Sequence, residues 1–193
     1  MRALAYWALV LVLAALAGCG KGEPRFQLTD VTGADFGKEL NLTDHHGKAR
    51  TLQDFRGKVV VVFFGFTHCP DVCPTTMNDL ALVMKELGPD AQRVQVLFVT
   101  VDPERDTPQV LAQYVPAFHP SFLGLHGNAE ATARAAKSFK VFYQKQPQAG
   151  GSYTVDHAAG TYILDQEGRL RLFGQYGAGP QTLLHDIRAL LAS

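Results

Sequence analysis

The chain has 193 residues, 47% of them apolar, which is enough to bury one substantial core, and no segment resembles a second domain. Lys plus Arg and Asp plus Glu each total 18 and are interspersed along the chain. No basic field exists to collect phosphate, so nucleic acid is excluded as an expected partner.

Residues 1–18 differ from everything that follows: Arg2 precedes an apolar run from Ala3 through Trp7 that ends in Leu16-Ala17-Gly18-Cys19. The run is an export signal and not part of the fold. Its ending resembles a bacterial lipobox, which implies a lipoprotein signal peptide over 1–18, cleavage before Cys19 and lipid on that cysteine. An uncleaved transmembrane anchor is the competing reading, because the run lies near the lower length limit for spanning a bilayer. Either way the domain, residues 25–193, is expected outside the cytoplasm, with 19–24 as a lipidated tether. Setting Cys19 aside leaves only Cys69 and Cys73. A disulfide between them would close too short a loop to add much stability.

Along the domain, Glu39 to Thr43 and Ala49 to Leu52 flank Asp44-His45-His46-Gly47, which predicts a hairpin with an exposed polar turn. Val59-Val60-Val61-Val62-Phe63-Phe64 predicts a central strand buried on both faces, running into His68-Cys69-Pro70-Asp71-Val72-Cys73-Pro74. Met77, Leu80, Ala81, Met84 and Leu87 recur at helical spacing over 75–87, and Gly88-Pro89 supplies the stop. Val94 to Val101 reads as a second buried strand. Thr107-Pro108 then opens a helix expected to reach about Phe118.

Phe122 to Leu125 and Val141 to Gln144 read as short extended pieces around a helix over 128–139. Thr161 to Leu164 and Leu170 to Phe173 form a hairpin about Asp165-Gln166-Glu167-Gly168. Leu183, Leu184, Ile187, Leu190 and Leu191 give a terminal amphipathic helix. The order describes an α/β, thioredoxin-like sandwich: a central mixed sheet, helices on both faces and an N-terminal β-hairpin extension.

Cys69 and Cys73 lie where a central strand meets a helix N-terminus, an end whose unpaired N–H groups favour thiolate. A thiolate serves as nucleophile in disulfide exchange or as ligand to a soft metal. The four-residue separation stacks both sulfurs on one face if the segment turns helically. Two thiolates suit Cu(I), with zinc as competitor, and a neutral imidazole would complete a site that also holds Cu(II).

Phe63-Phe64-Gly65-Phe66-Thr67-His68-Cys69-Pro70-Asp71-Val72-Cys73-Pro74 resembles the Sco (SenC) motif. It is seconded by Thr100-Val101-Asp102-Pro103-Glu104-Arg105-Asp106-Thr107-Pro108 and by Val155-Asp156-His157 followed by Tyr162 and Asp165. The resemblance covers roughly residues 25 to 192. It implies Cys69, Cys73 and His157 as copper ligands, carrying Cu(I), Cu(II) or both. It also implies a chaperone that assists the binuclear copper (CuA) site of cytochrome c oxidase subunit II, or reduces that subunit's cysteines with Cys69 and Cys73 as a redox pair. The partners so implied are subunit II, a periplasmic copper donor or thiol reductant, and the membrane through the lipid on Cys19, at the extracytoplasmic face.

No proline occurs between Gln148 and Tyr176, so His157 stands near the place where thioredoxins carry a proline facing their cysteines. That substitution weighs towards metal binding over generic disulfide exchange. A thioredoxin-family peroxidase is a third reading, which the second cysteine and the ligand-like histidine disfavour. Around the ligands, Asp71 is expected to tune the charge, Asp102 to scaffold the loop with Arg105 and Asp106, and Asp156 to orient the imidazole. His45, His46, His68, His119, His126 and His185 are expected at the surface, and Met77 in the core.

Overall fold

The computed structural model describes residues 25–193. The expected signal peptide, Cys19 and its tether lie outside the described residues. Within them, no helix is long and apolar enough to cross a membrane.

Among the described residues, ten strands and four α-helices follow in the order β1 (Thr29–Asp30), β2 (Asn41–Asp44), β3 (Ala49–Thr51), β4 (Val59–Gly65), α1 (Val72–Leu87), β5 (Val94–Thr100), α2 (Pro108–Tyr114), β6 (Leu123–His126), α3 (Ala129–Ser138), β7 (Tyr143–Pro147), β8 (Tyr153–His157), β9 (Thr161–Leu164), β10 (Leu170–Gly174) and α4 (Pro180–Leu191). The main sheet runs β1-β10-β9-β4-β5-β6-β2-β3, and β7-β8 form a separate two-stranded sheet. β4, β5 and β6 are parallel neighbours, while β9 runs antiparallel to β4. This is the thioredoxin-like mixed sheet, with the expected hairpin β2-β3 joined to its edge through β6.

β4 and β5 are buried at every position, as a strand covered on both faces must be. Side chains alternate along β4, so Phe63 and Phe64 face opposite layers. Phe63 meets Phe98, which in turn meets Tyr114 of α2. Phe64 meets Phe139, just past α3, and Tyr162 of β9. α1 packs beside α4, the apolar stripes of both turned inward.

The sheet register decides where chemistry collects. Gly65 and Thr100 are partners at the ends of the parallel strands β4 and β5, so the loops that follow them leave from one edge. β9 is antiparallel and enters beside the same end, Thr161 opposite Phe63, so the segment before it arrives there too. That edge, at the carboxyl ends of parallel strands, is where open α/β sheets place ligands.

Three expectations need correction. The helix opened by Pro108 stops at Tyr114 instead of reaching Phe118, because Pro116 has no backbone N–H to continue the hydrogen-bond ladder. The cysteine helix begins at Val72, three residues early, and takes in Cys73. His45 is buried and not part of an exposed turn: its Nδ1 accepts the Gly124 N–H at 2.9 Å, and its N–H donates to the Gly124 carbonyl at 2.9 Å. His126 is half-buried, while Met77 is fully enclosed in the core.

Candidate metal centre

Cys69 lies in the loop between β4 and α1, Cys73 sits in the first turn of α1, and His157 ends β8. One ligand atom from each lies within 4.8 Å of the other two, and among the described residues this is the group of Cys, His and carboxylate side chains that could hold a metal ion. The Sγ of Cys73 is 3.4 Å from His157 Nε2. The Cys73 N–H donates to Cys69 Sγ at 3.4 Å, so the first sulfur caps the helix N-terminus from outside it. Both thiols are free, Cys73 buried and Cys69 partly exposed.

The two sulfurs differ electrostatically. The Cys69 thiol is held down to about 5, chiefly by the hydrogen bond from the Cys73 thiol and, against the cost of partial burial, by the backbone N–H groups of Cys73 and Asp71. Cys73 moves the other way, far above the ordinary thiol range, because it donates to Cys69 and is buried. At neutral pH the pair therefore holds one thiolate and one thiol. Either a soft cation that displaces the remaining proton or a disulfide that accepts the thiolate can use it.

His157 stands between aromatic walls, its ring edge-on to Phe63 and Phe66 at centroid distances of 6.3 and 5.8 Å. Its Nδ1 lies 3.2 Å from the Ala158 carbonyl oxygen. A carbonyl only accepts, so Nδ1 is the donor in that contact, and Nε2 is the ring nitrogen that faces the sulfurs and is placed to meet a metal. Two sulfurs and one such nitrogen fit a copper ion, Cu(I) through the thiolates and Cu(II) with the imidazole.

The surrounding carboxylates divide. Asp102 is fully buried and accepts from Tyr153 Oη at 2.8 Å and from Arg105 Nε. Asp71 is exposed, and it is its backbone N–H, not its carboxylate, that bears on Cys69. Asp156 is exposed and next to His157 on a strand, where successive side chains face opposite ways; the Ala158 carbonyl, not Asp156, meets the imidazole. His68 is exposed, 3.1 Å from Thr67 Oγ1. Phe66, Tyr153 and the Ala158 carbonyl carry no local sequence signal for their roles, because each acts through a contact made by a distant segment.

Comparison with known proteins assigns the chain to a family. The SCO1/SenC family model matches residues 28–192. The chain is 45% identical over 158 residues to the mitochondrial SCO2 homolog of Bos taurus, covering 80% of this chain and 59% of that one. It spans between 52% and 62% of the length of the three mammalian relatives it matches. Copper-bound ScoI of Bradyrhizobium japonicum superimposes with a TM-score of 0.75 at 39% identity, covering 82% of this chain and all of that one. Apo Sco1 of Thermus thermophilus superimposes with a TM-score of 0.77 at 46% identity, covering 86% and 98%. With a family model spanning nearly all the described residues and relatives of this identity, the chain belongs to the SCO1/SenC family.

Proposed function

We propose that the protein is a copper metallochaperone, tethered by lipid on Cys19 at the extracytoplasmic face of a bacterial membrane, that helps assemble the CuA site of cytochrome c oxidase subunit II. The observation that carries this reading is the convergence of Cys69, Cys73 and His157 within 4.8 Å, with Nε2 turned towards the sulfurs. The copper bound by the Bradyrhizobium relative, 39% identical, supports the choice of metal. Cys69 and Cys73 would hold Cu(I), and His157 would add the harder nitrogen that Cu(II) favours. A periplasmic donor would supply the metal.

The unequal thiols support a second role for the same pair. The Cys69 thiolate attacks a disulfide of the partner, forming a mixed disulfide and releasing one partner thiolate. Cys73 then loses its proton and attacks Cys69 Sγ, releasing the second thiolate and leaving a Cys69–Cys73 disulfide. Two electrons pass to the partner, and a thiol reductant must return them.

Titration of the reduced protein with Cu(I) and Cu(II), repeated in Cys69→Ser, Cys73→Ser and His157→Ala, tests the assignment. Binding of both ions is expected in the parent, loss of both in the serine variants, and loss chiefly of Cu(II) in His157→Ala. Wild-type Cu(II) spectra in His157→Ala would refute His157 as a ligand. Absence of tight Cu(I) binding, with reduction of a subunit II disulfide retained, would leave the reductase reading in its place.

A further inference from the structure

Beyond its apolar packing, the segment that delivers His157 makes its polar contacts with a single loop. β7 and β8 form their own sheet, outside the main one. Among the described residues, the side-chain hydrogen bonds and ion pairs from this hairpin to the rest of the domain end on residues 102–105, Cys73···His157 aside. Arg105 Nη1 donates to the Tyr153 carbonyl at 2.8 Å, and Tyr153 Oη donates to Asp102 Oδ1 at 2.8 Å. Lys145 Nζ pairs with Glu104 at 2.6 Å. The Arg105 guanidinium also lies 3.7 Å from the Tyr153 ring centroid and 5.9 Å from that of Phe66.

The same loop holds the cysteine side. Asp106, fully buried in its side chain, accepts from Thr67 N at 3.0 Å and from Thr67 Oγ1 at 2.6 Å, two residues before Cys69. It also accepts from Thr100 Oγ1 at 2.6 Å, and Thr100 Oγ1 in turn accepts from Asp102 N at 2.9 Å. Arg105 N and Asp106 N both donate to the Asp102 carbonyl, and Arg105 Nε donates to the Asp102 carboxylate. Residues 100–106 are therefore one cross-linked body with two arms, one on the cysteine loop and one on the histidine hairpin.

Tyr153 and His157 are four apart on β8 and so share a face, with buried Val155 between them. Fixing Tyr153 fixes the line on which His157 lies. We propose that Arg105, braced by Asp102, is a positioning residue that latches the β7-β8 hairpin and thereby holds His157 against the cysteines. The proposal rests on the copper reading for its consequence, since a latched imidazole matters to the ion that uses it, but the latch itself is a property of the metal-free protein. Lys is not equivalent to Arg here, because it lacks the planar fork that reaches the Asp102 carboxylate and the Tyr153 carbonyl through separate nitrogens while stacking on the Tyr153 ring.

The test compares amide hydrogen exchange of the metal-free, reduced full chain with Arg105→Ala and Arg105→Lys, together with Cu(II) affinity. Arg105→Ala is expected to speed exchange of the hairpin amides, residues 143–157, by about tenfold or more while β4 and β5 amides keep their rates, with Arg105→Lys between. Cu(II) affinity should fall by roughly 10- to 100-fold, the usual cost of losing a group that orients a ligand. In a His157→Ala background the same substitution should cost nothing further. Unchanged hairpin exchange, equal acceleration of β4 and β5, or the full affinity loss repeated without His157 would each overturn the latch. If Arg105→Ala fails to fold, Tyr153→Phe removes only the hydroxyl bond to Asp102; faster hairpin exchange supports the latch and wild-type exchange overturns it. Should His157→Ala bind Cu(II) like the wild type, the copper reading falls, while the exchange rates still decide the latch.

Discussion

Cys73 Sγ and His157 Nε2 stand 3.4 Å apart although 84 positions separate them in the chain. Neither residue sits in a loop of its own choosing. Cys73 is fixed by the first turn of a helix whose stripe is buried, and His157 by a hairpin that the loop after β5 holds. A site so built takes its sulfur side from a buried helix and its nitrogen side from a hairpin tied to one loop.

The unequal thiols give a reactivity prediction. Cys69, held down to about 5, should alkylate at a rate that is flat at neutral pH and falls about tenfold per unit below its midpoint. Buried Cys73 should stay unmodified on that timescale. Peptide mapping after timed iodoacetamide treatment of the reduced protein checks this, and equal labelling of both cysteines would contradict it. The linkage sign follows. Because folding depresses Cys69 below its unfolded value near 8.5, its contribution to stability is complete above that value and is lost as pH falls through about 5. Cys73 is raised, so its contribution is complete below the unfolded value and is lost in alkali. Urea unfolding under reductant should show the parent gaining stability over Cys69→Ser as pH rises from about 5 to about 8.

Gly65 sets the floor of the site. A Cβ there would lie 2.8 Å from Cys73 Sγ and 3.0 Å from the rings of Phe63 and Phe98, all fully buried. The rings cannot yield, since they carry the core beneath the sheet edge, so the sulfur must move. Gly65→Ala is expected to cost about 1–3 kcal/mol through overpacking and to weaken copper binding by shifting one ligand. Wild-type urea midpoint and copper affinity in this variant would show that the sulfur has room.

How much of this was legible follows the range of the forces involved. β4, α1 and α4 could be read because burial imprints a local period on the sequence. Both hairpin turns could be read too, and they share one chemistry: Asp44 accepts from His46 N and Lys48 N and pairs with Arg50, as Asp165 accepts from Glu167 N and Arg169 N and pairs with Arg169, with Gly47 and Gly168 at positive φ. The misread features depend on distant partners. His45 is buried because β2 joins β6, some eighty residues on. β8 alternates Thr154 and Asp156 with Tyr153, Val155 and His157, the period of a half-buried strand, but its short run gives no sign that it pairs with β7 apart from the main sheet. The motif through Asp102, Arg105 and Asp106 was visible as a pattern, but its two-armed geometry was not.

The helix α4 carries a comparable dependence on one buried carboxylate. Asp186 of α4 is fully buried and accepts from Gln27 N at 3.0 Å and from Leu28 N at 2.7 Å, with His185 Nδ1 at 2.7 Å. These bonds tie the first described residues to the terminal helix, just ahead of β1 and its pairing with β10. Asp186→Ala leaves two backbone donors without a partner in the protein and should cost about 2–4 kcal/mol, whereas Asp186→Asn, which keeps one acceptor oxygen, should lose roughly half as much. Exchange of the Gln27 and Leu28 amides should accelerate in both variants while the hairpin that carries His157 is unaffected, because no bond of this cluster reaches residues 100–106. A shift of the copper-site spectra in Asp186→Ala would show instead that α4 is coupled to the cysteines through its packing on α1.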